Sequence, residues 1–66
     1  MQIFINDTPT ECPENITITQ LLVQQEIQPV NIAVAMDDSV VSKANWDTTV
    51  LKDGSRIIII KAVQGG

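Results

Sequence analysis

The sequence predicts a small α+β domain in which one helix packs across one mixed β-sheet. Two observations carry this prediction. Ile, Val and Thr together make up 23 of the 66 residues, and such β-branched side chains favour strands. The apolar patterns also follow the order strand, strand, helix, strand, short strand and last strand. A hairpin followed by a crossover helix and further strands makes a sheet with parallel and antiparallel pairs.

The first two strands are expected to form a hairpin. Residues 2–6 alternate polar and apolar, with Ile3 and Ile5 on one face, as in a half-buried strand. Residues 6–9 are the turn formers Asn, Asp, Thr and Pro. The second strand is therefore predicted over residues 10–12.

The helix has the best-marked start. Thr17 and Gln20 have the spacing of a capping box, and Ile16 and Leu21 have that of a hydrophobic staple. Because the residue before a proline avoids helical geometry, the proline at position 29 predicts that a helix of about ten residues ends near Gln28.

The rest of the chain is expected to complete the sheet. Residues 31–36 and 40–41 are predicted strands, and residues 42–49 are predicted to form one irregular or 3₁₀ turn. Trp46 lies in that turn, and so large a side chain is expected to cap the edge of the core. Residues 52–55 are a strong turn signal.

The last strand is predicted over residues 56–63 and contains four consecutive isoleucines. An apolar strand of this kind is typical of the centre of a sheet. Placed parallel to the first strand, it completes a β-grasp, or ubiquitin-like, fold with four to five strands. Since one helix covers only one face, we expect Ile57 and Ile59 to point inward and Ile58 and Ile60 outward.

The composition excludes several classes of function. The chain has one cysteine, no histidine and no tyrosine, so an internal disulfide, a zinc site and a catalytic triad lack their residues. A net charge of −4 argues against nucleic-acid binding and suits a partner with a basic surface. No membrane span and no secretory signal is visible, which favours a cytoplasmic protein, expected to be monomeric alone.

Two features that resemble reactive sites have simpler interpretations. Cys12 lies between Glu11 and Glu14, whose charges disfavour a thiolate, so we expect a buried structural cysteine. Asp37 and Asp38 lack the further carboxylates of a calcium loop, so we expect a solvated turn and no metal site.

The strongest candidate for chemistry is the end of the chain, which we predict to be a tail over residues 64–66 following a domain over residues 1–63. Gly65 and Gly66 have no side chains, so a carboxylate there can thread a narrow channel in a partner. Three extended residues reach roughly 10 Å. Adenylation by ATP would activate the carboxylate, and a sulfur nucleophile could then displace AMP. The alternative is a frayed terminus.

The outward side of the sheet is a candidate interface, because a contiguous apolar patch often marks one. Arg56 and Lys61 would form its polar rim. The alternative is an ordinary scatter of exposed apolar side chains. The predicted partner interface consists of Phe4, Ile58, Ile60 and Val63.

With these residues assembled, the chain resembles the ThiS family, the sulfur carrier proteins of thiamin biosynthesis, over its full length. Ser42-Lys43 stands where the family often has Pro-Arg, and Ser55 stands where a second acid is common. The blocks that carry the resemblance are Met1 to Asn6, Ala33-Val34-Ala35, Val40-Val41, Trp46, Thr48-Thr49, Asp53-Gly54 and Ala62-Val63-Gln64-Gly65-Gly66.

The resemblance implies a role as protein substrate with no catalytic residues of its own. An E1-like adenylyltransferase, ThiF, would use MgATP to adenylate Gly66, and a cysteine desulfurase persulfide would supply sulfur. The tail, with Gln64 and Gly65 before the thiocarboxylate, would then enter thiazole synthase, ThiG. Three alternatives stay open: the small subunit of molybdopterin synthase, MoaD; a β-grasp interaction module with incidental glycines; and an enzyme, for which the chain has few suitable groups.

Overall fold

The computed structural model describes residues 1–61, in which one α-helix packs on one face of a five-stranded sheet. The order across the sheet is β2-β1-β5-β3-β4, with β5 parallel to β1 and antiparallel to β3. This is the predicted β-grasp arrangement, with the last strand at the centre. The elements are β1 (Gln2–Ile5), β2 (Thr8–Glu11), α1 (Ile18–Gln24), β3 (Ile32–Met36), β4 (Ser39–Val41), a 3₁₀ turn (Lys43–Asn45) and β5 (Arg56–Lys61).

Both hairpins turn on two residues with positive φ. Asn6 and Asp7 have φ of 49° and 67°, and Asp37 and Asp38 have φ of 49° and 71°. Two-residue loops of this kind match the right-handed twist of the strands that they join, and Asn and Asp tolerate the conformation. The prediction that β2 begins at residue 10 was therefore wrong: the tight turn lets pairing start at Thr8, opposite Ile5.

The start of α1 is the predicted one. The Thr17 hydroxyl accepts a hydrogen bond from the Gln20 N–H at 3.2 Å. The Gln20 side chain accepts one from the Thr17 N–H at 2.9 Å. Ile16 and Leu21, the predicted staple pair, are both buried. These caps satisfy backbone groups that a helix start leaves unpaired.

The predicted end of the helix near Gln28 was wrong, because α1 ends at Gln24. Glu26 adopts a left-handed conformation with φ of 57°. Its N–H donates to the Val23 carbonyl, and the Ile27 N–H donates to the Leu22 carbonyl at 2.9 Å. This pair of bonds is a Schellman motif, which satisfies the last helical carbonyls and ends the helix several residues before the proline.

The core lies between α1 and the inner face of the sheet. Trp46 is buried at its edge, as predicted, and its Nε1 donates to the Val41 carbonyl at 2.8 Å. Ser55 is also buried, and its hydroxyl accepts a bond from the Lys52 N–H that closes the turn before β5. The buried apolar residues are Ile3, Cys12, Ile16, Ile18, Leu21, Leu22, Val34, Trp46, Leu51, Ile57 and Ile59.

Residues 62–66 lie outside the described part of the chain. The predicted extension of the last strand to Val63 and the predicted boundary between domain and tail at residues 63 and 64 fall there and stay predictions. Among residues 1–61, no helix has the length and apolar character needed to cross a membrane.

Candidate functional site

The isoleucines of β5 divide between the two faces of the sheet as predicted. Ile57 and Ile59 are in the core with 0% and 9% of their surface exposed, whereas Ile58 and Ile60 are 37% and 60% exposed. Alternation along a strand explains the division, because successive side chains point to opposite faces. The central strand therefore carries two large apolar side chains on the face that α1 does not cover.

Strand register shows which residues share that face, since directly paired residues point the same way. Phe4 pairs with Arg56, Ile58 with Ala35, and Ile60 with Ala33. Phe4 is half-buried, and the interface prediction correctly placed it on the same face as the two isoleucines. Their use as an interface stays a prediction, and Val63 lies outside the described residues.

The sheet also brings apolar residues to this face that the sequence analysis missed. Pro9 pairs with Phe4, and Val40, which is 80% exposed, pairs with Ala35. Only the strand register connects these separated positions, so no local pattern could have identified them. We call the whole set the outer apolar face, and it consists of Phe4, Pro9, Ala33, Ala35, Val40, Ile58 and Ile60.

One end of this face has a mixed but mainly acidic border. The Arg56 guanidinium lies 3.6 Å from the Asp7 carboxylate, and the Arg56 N–H donates to Asp37 Oδ1 at 3.0 Å. Asp38 is exposed beside them. Thus Asp37 is not only solvated, as predicted for this turn, but also ties the β3–β4 turn to β5. With three carboxylates and one arginine, this border suits a basic partner surface.

The side chain of Asn6, which follows β1, holds the edge of β5 that faces β1. Asn6 Nδ2 donates to the Ile59 carbonyl at 3.2 Å, and Asn6 Oδ1 accepts from the Ile59 N–H at 2.9 Å. The Asn6 N–H donates to the Ile57 carbonyl at 2.8 Å. From the sequence, Asn6 was predicted only as the end of the first strand and the start of the turn. The 53-residue separation of this pair explains why no local signal reveals it.

The tail whose last residue, Gly66, is predicted to carry sulfur follows this anchored strand in the sequence. β5 ends at Lys61, which is exposed, and Gly66 follows five residues later. Gln64, Gly65 and Gly66 lie outside the described residues, so their proposed roles rest on the sequence. The described part of the site is thus the strand that leads to the tail, together with the outer apolar face.

Cys12 is buried, as predicted. Burial raises the pKa of its thiol, the charges of Glu11 and Asp53 raise it further, and the N-terminal ammonium opposes them. A neutral thiol is a poor nucleophile and a poor metal ligand. Within residues 1–61, no three acidic or cysteine side chains gather closely enough to hold a metal ion.

The family model for the ThiS family matches residues 3–66, which is nearly the whole chain and includes the two terminal glycines. The chain belongs to the ThiS family. As a member, it is similar to the Sulfur carrier protein ThiS of Escherichia coli (strain K12), with 29% identity over 66 residues that cover all of both chains.

Solved structures with the same fold accompany this family match. The crystal structure of the thiamine biosynthesis protein (ThiS) from Geobacter metallireducens aligns with a TM-score of 0.87 and 23% identity, covering all of both chains. The NMR solution structure of a thiamine biosynthesis protein from the same organism aligns with a TM-score of 0.79 and 23% identity, covering 100% of this chain and 88% of the other. At this identity, the likeness establishes the β-grasp fold of this ThiS-family chain.

Proposed function

We propose that this chain is the sulfur carrier of thiamin biosynthesis and that the carboxyl group of Gly66 carries the sulfur. The observation that carries this proposal is the family match, which extends through Gly65 and Gly66. The structure supports it by placing the strand that leads to these glycines at the centre of the sheet. A rigid body with a slim tail suits delivery of a carboxylate into another protein's active site.

The chemistry begins with a carboxylate, which is a poor electrophile until one of its oxygens is made a leaving group. The Gly66 carboxylate attacks the α-phosphate of ATP, and pyrophosphate leaves. The terminal sulfur of a persulfide then attacks the acyl carbon, and AMP leaves. A thiolate then attacks the sulfur of the resulting S–S bond that is farther from the acyl carbon and forms a new disulfide with it, and the thiocarboxylate of Gly66 is the leaving group.

The groups that catalyse these steps belong to partner enzymes in this proposal. ThiF, an E1-like adenylyltransferase, binds MgATP and activates the tail. A cysteine desulfurase supplies the persulfide, and ThiG receives the sulfur for the thiazole ring. The described chain supports a substrate role, because its one cysteine is buried with a raised pKa and histidine is absent from the sequence.

The outer apolar face is the proposed docking surface for these enzymes. It has residues on all five strands, and Ile58 and Ile60 lie on the strand that leads to the tail. A partner that covers Ile58 and Ile60 therefore receives the tail from the same strand. The acidic border around Arg56 favours basic residues on the partner at that edge.

The test is intact mass spectrometry of the purified chain incubated with ThiF, MgATP, a cysteine desulfurase and cysteine. We expect a mass gain equal to the exchange of one oxygen atom for sulfur, absent when ATP is omitted. A matched control carries one alanine after Gly66 and should gain no mass. Sulfur transfer that survives this extension contradicts the proposal and favours an interaction module with incidental glycines.

A further inference from the structure

We infer that Asn6 is a positioning residue for sulfur loading, because its side-chain amide anchors the end of β5 from which the tail departs. The inference rests on the proposed function and deepens it. It concerns a group that lies outside the tail and, with its side chain turned to Ile59, outside the outer apolar face.

Beyond the end of β1, the Asn6 side chain makes the hydrogen bonds to β5 that the backbone of a longer β1 would make. β1 and β5 pair as far as Ile5 and Ile57, and there the chain leaves β1 for the turn, while β5 continues to Lys61. The Asn6 amide then bonds both the N–H and the carbonyl of Ile59. In residues 1–61, these two are the last hydrogen bonds that reach β5 from the β1 side.

The turn itself does not require an amide at this position. The other hairpin has Asp37 in the equivalent place, with the same φ of 49°. The Asp37 carboxylate also bonds β5, but only as an acceptor, from the Arg56 N–H. An amide has both a donor and an acceptor, and both are needed to satisfy the N–H and the carbonyl of Ile59. The residue type at position 6 therefore fits the anchoring of β5 more closely than it fits the turn.

The anchor affects the reaction through the direction of the tail. Ile59 is the last buried residue of β5, and Gly66 is the seventh residue after it. When its backbone bonds to Asn6 are lost, the end of β5 can move away from β1, and the carboxylate samples more positions around the adenylation site. Small misplacement of a reacting group lowers the rate, by up to about 100-fold for 1 Å. Docking is expected to change less, because Ile58 and Ile60 stay paired with Ala35 and Ala33 of β3.

The experiment compares Asn6→Gly with Asp38→Gly in the full-length chain. Both changes put glycine at a turn residue with positive φ, but Asp38 makes no side-chain hydrogen bond in the structure. Amide hydrogen exchange by NMR measures the anchor directly. We expect Ile59 to exchange at least about tenfold faster in Asn6→Gly, with Val34 unchanged, and no such change in Asp38→Gly.

Kinetics with ThiF then separate positioning from folding. We expect kcat for adenylation to fall about tenfold in Asn6→Gly, with KM within about twofold and the Trp46 fluorescence of a folded chain. If Asn6→Gly does not fold, Asn6→Asp is measured instead. It keeps the acceptor but loses the donor, and its kcat should fall about threefold.

The outcomes distinguish this inference from the proposed function. If the unaltered chain is not adenylated, the proposed function fails and the inference fails with it. If the unaltered chain is adenylated and kcat of the Asn6 variant is unchanged, only the inference is overturned. An equal fall in Asp38→Gly also overturns it, because the effect would then belong to hairpin turns in general.

Discussion

Ile60 on β5 lies directly opposite Ala33 on β3, and the small methyl of Ala33 leaves 60% of the Ile60 surface exposed. The same relation repeats two residues earlier between Ile58 and Ala35. Large side chains on the central strand thus stand beside small ones on its neighbour. The isoleucines project from the sheet and are accessible to a partner.

A charge at Ile60 should weaken partner binding without unfolding the chain. The Ile60→Asp change places a carboxylate where a partner would bury an apolar side chain, so we expect Kd for ThiF or ThiG to rise at least about tenfold, or about 1.4 kcal/mol. Isothermal titration calorimetry measures the affinity. Val23→Asp is the matched control, because Val23 is 73% exposed on α1, away from the outer apolar face. Equal affinity of the Ile60 variant and the unaltered chain would place the interface elsewhere.

Removal of the helix cap should lower the stability measurably. Thr17→Ala deletes the hydroxyl that accepts from the Gln20 N–H, and we expect a loss of about 1 kcal/mol, or roughly 4–8 °C in Tm. Thermal unfolding followed by circular dichroism measures this. Thr17→Ser keeps the oxygen and should lie close to the unaltered chain. If Ser and Ala variants melt together, the cap contributes little.

Truncation of a buried leucine of α1 should lower the free energy of unfolding much more than loss of the helix cap. Leu21 is fully buried, and Leu21→Ala is expected to lose about 2–5 kcal/mol. A chain of this length has roughly 3–10 kcal/mol in total, so part of the population should be unfolded at 37 °C. Urea titration compares it with Val23→Ala, two residues away and exposed, which should change stability by less than about 0.5 kcal/mol. Similar losses for the two variants would contradict the observed orientation of α1.

The buried thiol of Cys12 predicts a pH dependence. Its pKa is raised in the folded chain, chiefly by burial, so the folded state holds this proton more tightly than the unfolded state. The stabilisation is complete below the unfolded pKa of about 8.5 and is lost as the pH rises toward the folded value. Urea unfolding at several pH values from about 7.5 to 10 should therefore show a steeper decline for the unaltered chain than for Cys12→Ala. Parallel curves for the two chains would contradict the raised pKa.

Local signals made the start of the helix predictable, and the lack of one made its end unpredictable. Thr17 and Gln20 lie three residues apart, and each side chain bonds the backbone N–H of the other. The two residue types at this spacing are therefore sufficient to predict the helix start. The helix ends because Glu26 takes a left-handed conformation that usually favours glycine or asparagine. A glutamate does not indicate this conformation, so the helix end was wrongly predicted from the proline at position 29.

The sequence could also predict which residues share a face of the candidate site, but only where those residues lie on the same strand. Alternation along β5 predicted that Ile58 and Ile60 share a face. The contributions of Val40 and Asn6 depend on which strands pair and in which register, over separations that no short pattern spans. The tail over residues 64–66 stays a prediction from its residues, because it lies outside the described part of the chain.

The parallel pairing of β1 with β5 joins the two ends of the described chain, so we expect it to form late in folding. These strands are neighbours in the sheet although they occupy opposite ends of the sequence. Contacts of such long sequence separation form late, because closing a long loop costs entropy before the contacts reward it. Before β1 and β5 pair, Phe4 and Pro9 are not aligned with Ile58 and Ile60. If a partner enzyme requires both the face and the tail, we expect it to act on the folded chain and not on incompletely folded molecules.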